Sequence, residues 1–298
     1  SRRGPGQAIH KVQQQFLFGS KVVNRPGMGV FKRRSPVCLA RAALEAQISD
    51  LSRYPDGGAY ELRHALAAHH DVDAACVTVG NGSNDVLDMV ARVFLWSGRE
   101  SLFSQYAFAV YPISSMAVGA TLRIVPAVDY GHDLVAMRAM LTERTGVVWI
   151  ANPNNPTGTW IADEPLLAFL SALPEHCMAV IDEAYFEYVE ADDHPDTSQW
   201  LDAFPNLIVT RTFSKAYGLA GLRVGYAVSR PEVIFRGAKD SGFIALTIDD
   251  GPHPAHRSER QESLQLVPGA HRGPHDAQLQ ELVGQLVPRA FDVLPHRG

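Results

Sequence analysis

Cysteine is scarce in this sequence: Cys38, Cys76 and Cys177 are the three among 298 residues, and none stands in CxxC or another ligand-like spacing. That excludes a disulfide framework and fits unpaired thiols in a reducing compartment. Apolar runs of bilayer-spanning length are missing, so no transmembrane helix is expected. A surplus of positive charge is missing too, since 27 Lys and Arg face 32 Asp and Glu for a net charge of −5. The expected partner is therefore a small molecule, not nucleic acid or an anionic membrane. The opening SRRGPGQAIHKVQQQ is basic but lacks the apolar segment and small-residue cleavage site of a secretory signal, which makes the cytoplasm the expected location.

What the sequence has is apolar mass: 46% of its residues are hydrophobic, enough for one large core with a smaller domain beside it. Short β-branched runs at residues 121–125, 147–150, 178–181, 207–210 and 224–228 alternate with helical periodicity over 39–51, 60–70, 83–95 and 165–173. Such alternation predicts an α/β fold with a mainly parallel sheet covered by helices on both faces. Functional groups are then expected on loops at the carboxyl ends of strands. Residues 1–36 form an irregular N-terminal segment, 37–233 the large α/β domain, and 234–298 an atypical C-terminal segment in place of a small domain. Within the last, DDGPHPAHRSERQESLQLVPGAHRGPHD contains no aromatic residue.

Four polar motifs fall where the strands end. GNGSNDVLDMV (80–90) runs from a strand into a helix. Its glycines let a backbone approach an anion, and a helix start offers free N–H groups. Asp85 stands where a dinucleotide fingerprint needs its third glycine, and no GK[ST] follows. Ser83, Asn84 and Asp85 are equally good ordinary caps, and alone the motif leaves both readings open. IANPNNPTGTW (150–160) is a rigid turn whose Asn152, Asn154 and Asn155 can aim amides at a ligand oxygen. VIDEAYFEY (180–188) ends an apolar strand on Asp182, with Tyr185 three residues on; a buried carboxylate needs a partner, although a strand-ending Asp can also cap a following helix. TRTFSKAYGLAGLRVGYAV (210–228) sets Lys215 among small and apolar residues, where an ammonium loses its proton or finds a partner.

Together these are the parts of a pyridoxal 5′-phosphate site: an amine to condense with the aldehyde, an anion for the ring nitrogen, an amide and a phenol for the ring oxygen, and a phosphate cradle. The chain resembles fold-type I aminotransferases, and among them the histidinol-phosphate aminotransferases. LSRYPDG (51–57), TVGNGSNDVLDMVARVF (78–94), SQYAFAVYPI (104–113), ANPNNPTGTW, IDEAYFEY and RTFSKAYGLAGLRVGYAV carry the resemblance. They cover roughly residues 39–233, in the family's order. The resemblance implies that Lys215 bonds the cofactor and shuttles protons, that Asp182 faces the ring nitrogen, and that Tyr185 and Asn155 hold the 3-oxygen. It further implies Gly82, Ser83, Asn84, Ser214 and Arg223 around the phosphate and Tyr106 against the ring. Tyr54 would reach the neighbouring subunit's phosphate, which makes a homodimer the expected assembly.

The ends depart from this pattern. NRPGMGV (24–30) stands where the family has an ENPLG-like segment, and Arg257, Arg260, Arg272 and Arg289 all lie in unmatched sequence, so none is assigned to substrate. Loss of family texture at both ends with a matched middle suggests reading-frame shifts. His253, His256, His271 and His275 form no expected metal site, because HPAH has a helix-breaking Pro and no HExxH glutamate. The functions expected are amino transfer between L-histidinol phosphate and 2-oxoglutarate, a related aminotransferase or phosphothreonine decarboxylase, or an inactive fragment of the family.

Overall fold

The computed structural model describes residues 56–236, together with Leu44, Glu45 and Ile48. Seven strands form one sheet: β1 Val77–Asn81, β2 Glu100–Ser104, β3 Thr121–Val125, β4 Thr145–Ala151, β5 Met178–Asp182, β6 Leu207–Thr212 and β7 Val224–Ser229. Their spatial order is β1-β7-β6-β5-β4-β2-β3. β7 runs against both its neighbours, β1 and β6; every other adjacent pair is parallel. The expected α/β class with a mainly parallel sheet is thus the one observed.

Apart from the edge strand β3, whose Thr121 and Ile124 are exposed, the sheet is largely buried on both faces, and side-chain alternation divides β4 between them. Val148 and Ile150 pack with Leu62 and Leu66 of α1 (Tyr60–His70), Met137 of α4 (Leu134–Ala139) and Leu166, Phe169 and Leu170 of α5 (Asp163–Ser171). Val147, Trp149 and Ala151 pack on the other face with Val86, Leu87, Val90 and Phe94 of α2 (Ser83–Phe94) and Tyr111 of α3 (Val110–Ala117). A last helix, α6, spans Pro231–Arg236. The α2 stripe follows the spacing that its sequence predicts.

Every expected strand is present, most of them a residue or two longer, and residues 60–70 form the expected helix. The helix expected over 83–95 ends at Phe94, and that over 165–173 is Asp163–Ser171. Of the helix expected over 39–51, Leu44 and Glu45 are helical and Ile48 is in a 3-10 turn, while the rest lies outside the described residues. β2 went unread because ESLFS carries two serines and a glutamate, yet all five residues are buried. Tertiary partners compensate: Glu100 accepts from Arg144 at 2.8 Å and Thr142 at 2.7 Å, and Ser101 meets Ser115 at 2.7 Å. α3 went unread because Pro112 and two serines weaken its propensity.

Trp149 is fully buried. It stacks on Tyr111 with ring centroids 5.2 Å apart and donates from Nε1 to Ser101 Oγ at 2.9 Å. Trp149→Ala is expected to cost about 3–5 kcal/mol through the cavity it leaves, read as a lowered urea midpoint. A loss below about 1 kcal/mol would show that the neighbouring helices collapse into the space.

Candidate active site

The carboxyl ends of β1, β5 and β6 and the start of β7 meet at one edge of the sheet, and the polar motifs gather there. Gly82 precedes α2 with φ 80°, a conformation suited to glycine. No side chain caps the helix; the Asp85 carboxylate instead accepts from the Asn81 N–H at 3.0 Å. The capping expected of Ser83 or Asn84 is therefore not what the structure uses, and the helix start keeps its capacity for an anion. Arg223 donates to the Asn81 carbonyl at 3.3 Å and the Ala220 carbonyl at 3.2 Å. Its guanidinium occupies the space that a Cβ on Gly82 would need, and a Cβ on Gly225 would run into the Ser83 nitrogen. Two glycines thus let a backbone turn, a strand and a guanidinium converge around Ser83. Ser83 is buried there, and Asn84 is exposed.

Asp182 closes β5 and is 4% exposed. Tyr111 donates to its Oδ2 at 2.8 Å and Thr210 to its Oδ1 at 2.9 Å. Burial raises its pKa, opposed by Tyr111, Thr210, the Ala184 N–H and the Lys215 charge. The helix-cap alternative fails here, because no side chain caps the following 3-10 turn, Phe186–Tyr188. Lys215 lies half-buried on the loop after β6, its Nζ 5.3 Å from the Tyr185 ring centroid. Ser214 on the same loop is half-buried, its N–H donating to Thr212 Oγ1 at 3.2 Å.

The asparagine turn divides its labour differently from expectation. Asn152 spends its amide on Ile161, accepting from the N–H at 2.8 Å and donating to the carbonyl at 3.0 Å. Asn154 donates to Thr157 at 2.8 Å and to the Tyr106 carbonyl at 3.0 Å. Those two amides brace the turn and the Tyr106 segment, and Asn155 between them and Pro156 is half-buried. Tyr106 sits 5.6 Å from Tyr130, ring to ring. Tyr54 lies outside the described residues.

Four residues escaped the sequence reading. Tyr111 and Thr210 reach Asp182 from elements far away in the chain. Glu183 accepts from Arg211 at 2.7 and 2.9 Å and from Thr197 Oγ1 at 2.6 Å. A charged Arg211 inside the buried run LIVTRT was a readable signal, since a buried guanidinium requires an acid.

The donor set fits pyridoxal 5′-phosphate: an uncapped helix start beside a guanidinium for the phosphate, a buried carboxylate for a ring N–H, and an amine near that carboxylate.

The profile of the aminotransferase class I and II family matches residues 27–248. A relative from Methylococcus capsulatus named histidinol-phosphate aminotransferase 2 is 58% identical, over 89% of this chain and 79% of its own. One of the same name from Pseudomonas fluorescens is 55% identical, over 65% of this chain and 52% of its own, so the chain spans about half the length of some curated relatives. Among solved structures, histidinol-phosphate aminotransferase from Sinorhizobium meliloti in complex with pyridoxal-5′-phosphate aligns with a TM-score of 0.68 at 27% identity, covering 87% of this chain and 64% of that one. L-threonine-O-3-phosphate decarboxylase from Porphyromonas gingivalis aligns at 0.57 with 25% identity, over 65% and 59% of the two chains.

The raised pKa of Asp182 makes a stability prediction for the ligand-free protein. The folded state holds this proton more tightly than the unfolded chain, so stability falls as pH rises through the folded-state pKa. Asp182→Asn removes that cost and is expected to gain about 0.5–2 kcal/mol at pH 8, with the gain vanishing in acid. Thermal melts of both proteins across pH check this; a variant less stable than the parent at pH 8 contradicts it.

Proposed function

The chain belongs to the class I and II aminotransferases, and from that premise we propose that it transfers an amino group between L-histidinol phosphate and 2-oxoglutarate with pyridoxal 5′-phosphate as cofactor. The observation that carries this reading is the convergence of Lys215 and Asp182 beside the Gly82–Arg223 cradle. The names of the relatives supply the substrate. When bound, the cofactor offers an aldehyde that exchanges amines and a ring that accepts the electron pair left when the substrate carbon loses its proton.

This chain's residues supply the rest. Arg223, the N–H groups at Gly82, Ser83 and Asn84, and Ser214 hold the phosphate with charge-assisted hydrogen bonds. Lys215 would hold the cofactor through its amine and serve as the general base and acid that moves a proton to and from the substrate carbon. Asp182 would keep a proton on the ring nitrogen. Tyr185 and Asn155 hydrogen-bond the 3-oxygen, and Tyr106 covers the ring. The chain acts as a cytoplasmic homodimer in which the partner subunit's Tyr54 reaches the phosphate. Residues 37–233 form the cofactor domain, and 234–298 stand in the place of the small domain.

Purified chain with the cofactor is expected to form glutamate from histidinol phosphate and 2-oxoglutarate, and Lys215→Ala to lose both this activity and the visible absorption of the bound cofactor. Release of carbon dioxide from phosphothreonine without glutamate formation would favour the decarboxylase suggested by the second structural likeness. Neither product, with no visible band, would sink the assignment. Arg223→Ala is expected to weaken cofactor binding by roughly 1.5–3 kcal/mol, the range of a lost hydrogen bond to a charged group. A dissociation constant within twofold of the parent's would remove Arg223 from the phosphate site.

A further inference from the structure

We propose that Tyr111 is a positioning residue for this reaction: its hydroxyl holds Asp182 as an anion, so that a proton stays on the cofactor's ring nitrogen. The inference rests on the pyridoxal phosphate reading above and concerns a residue to which the resemblance assigns no role. An aspartate serves a ring nitrogen only while it stays ionised. Burial works against that, because a desolvated carboxylate tends to take the proton itself.

The structure opposes the tendency with neutral donors. Tyr111 and Thr210 each occupy one oxygen of Asp182, stabilising the anion without cancelling its charge. An arginine in either place would satisfy the carboxylate and compete with the ring for it. Among the described residues, the charged group that faces Asp182 is Lys215, from the loop after β6, and the other titratable group is Tyr111 itself, from α3. Burial and then the Asp182 charge push the Tyr111 pKa well up, so its hydroxyl remains a donor at any working pH.

Tyr111 also has little freedom to turn away. It is 1% exposed and lies 11° from parallel with the Trp149 ring. Trp149 donates to Ser101 Oγ, and Ser101 pairs with Ser115, which sits on the same helix as Tyr111. The tryptophan is thus fixed to the helix that carries the tyrosine, and the pair holds the hydroxyl 2.8 Å from Asp182.

The test uses the full chain loaded with pyridoxal 5′-phosphate, as the parent, Tyr111→Phe and Thr210→Val, each also in an Asp182→Asn background. Phenylalanine keeps the ring stack and removes the hydroxyl. The pH midpoint of the visible band is expected to rise by about one unit in Tyr111→Phe, because a less protonated ring withdraws fewer electrons from the linkage to Lys215. Turnover should fall about tenfold or more while KM stays within about twofold. In the Asp182→Asn background Tyr111→Phe should leave the midpoint unmoved, which a merely structural role would not predict. An unmoved midpoint in Tyr111→Phe, or an equal shift in the Asn background, overturns the proposal. If Tyr111→Phe fails to load, Thr210→Val decides by the same two outcomes on the shared carboxylate. A parent without a visible band overturns the aminotransferase reading, whereas a parental band with no Tyr111→Phe shift overturns the role of Tyr111 alone.

Discussion

Two buried carboxylates in succession, Asp182 and Glu183, govern the site edge of the sheet. Glu183 is fully buried with its charge answered from within, by the Arg211 guanidinium and by the Thr197 hydroxyl. Asp182 receives hydrogen bonds from two neutral hydroxyls and keeps its charge unbalanced by any direct ion pair among the described residues. One acid is thus complete without a ligand, and the other is stabilised yet still available to a cation. The alternation of β6 underlies the difference: Thr210 reaches Asp182, and the next residue, Arg211, reaches Glu183.

The completed pair has a structural task. Arg211 also contacts Asp196 at 2.6 Å and lies over the Phe186 ring at 3.9 Å. Asp196 accepts from Ser198, whose hydroxyl meets His70 at 3.1 Å, and His70 meets the Tyr226 hydroxyl at 3.0 Å. Burial, helped by the Arg211 and His69 charges, pushes the His70 pKa down to about 3, so the ring is neutral and links these groups without adding charge. Such a network costs desolvation, and removing one partner would strand the other. Its position between β6, β7, α1 and the 3-10 turn Thr197–Trp200 fixes the strand ends from which the Lys215 loop departs.

What was legible in the sequence followed from chemistry that needs no tertiary partner to be recognised. The apolar runs of β4, β5 and β6 read as buried parallel strands because both faces are covered. Asp182 and Lys215 stood out because each is costly where it stands, and the structure places both at the carboxyl ends of the strands. Glu100 in β2 was expensive as well, but Arg144 and Thr142, which make its burial tolerable, come from a later loop, so the segment looked too polar for a strand. Tyr111 and Thr210 were opaque for the same reason: each is unremarkable in its own stretch and acquires its role only when α3, β5 and β6 meet. Asn152 and Asn154 misled in the opposite sense. Amides that looked free for a ligand are used to hold the turn and the Tyr106 backbone.

The single antiparallel strand explains why one loop carries two of the site's cations. In a wholly parallel sheet the chain leaving β6 would cross over and return at the far edge, and residues before the next strand would stand opposite the site. Because β7 runs back against β6, with Thr212 opposite Gly225, the connection begins and ends at one edge. Lys215 near its start and Arg223 at its end are therefore held at the same edge by the same pair of strands. Gly225, the second residue of β7, then admits the Gly82–Ser83 turn that a side chain there would push aside. The direction of one strand thus sets the separation between the amine and the guanidinium, a separation that the proposed cofactor role requires to be fixed.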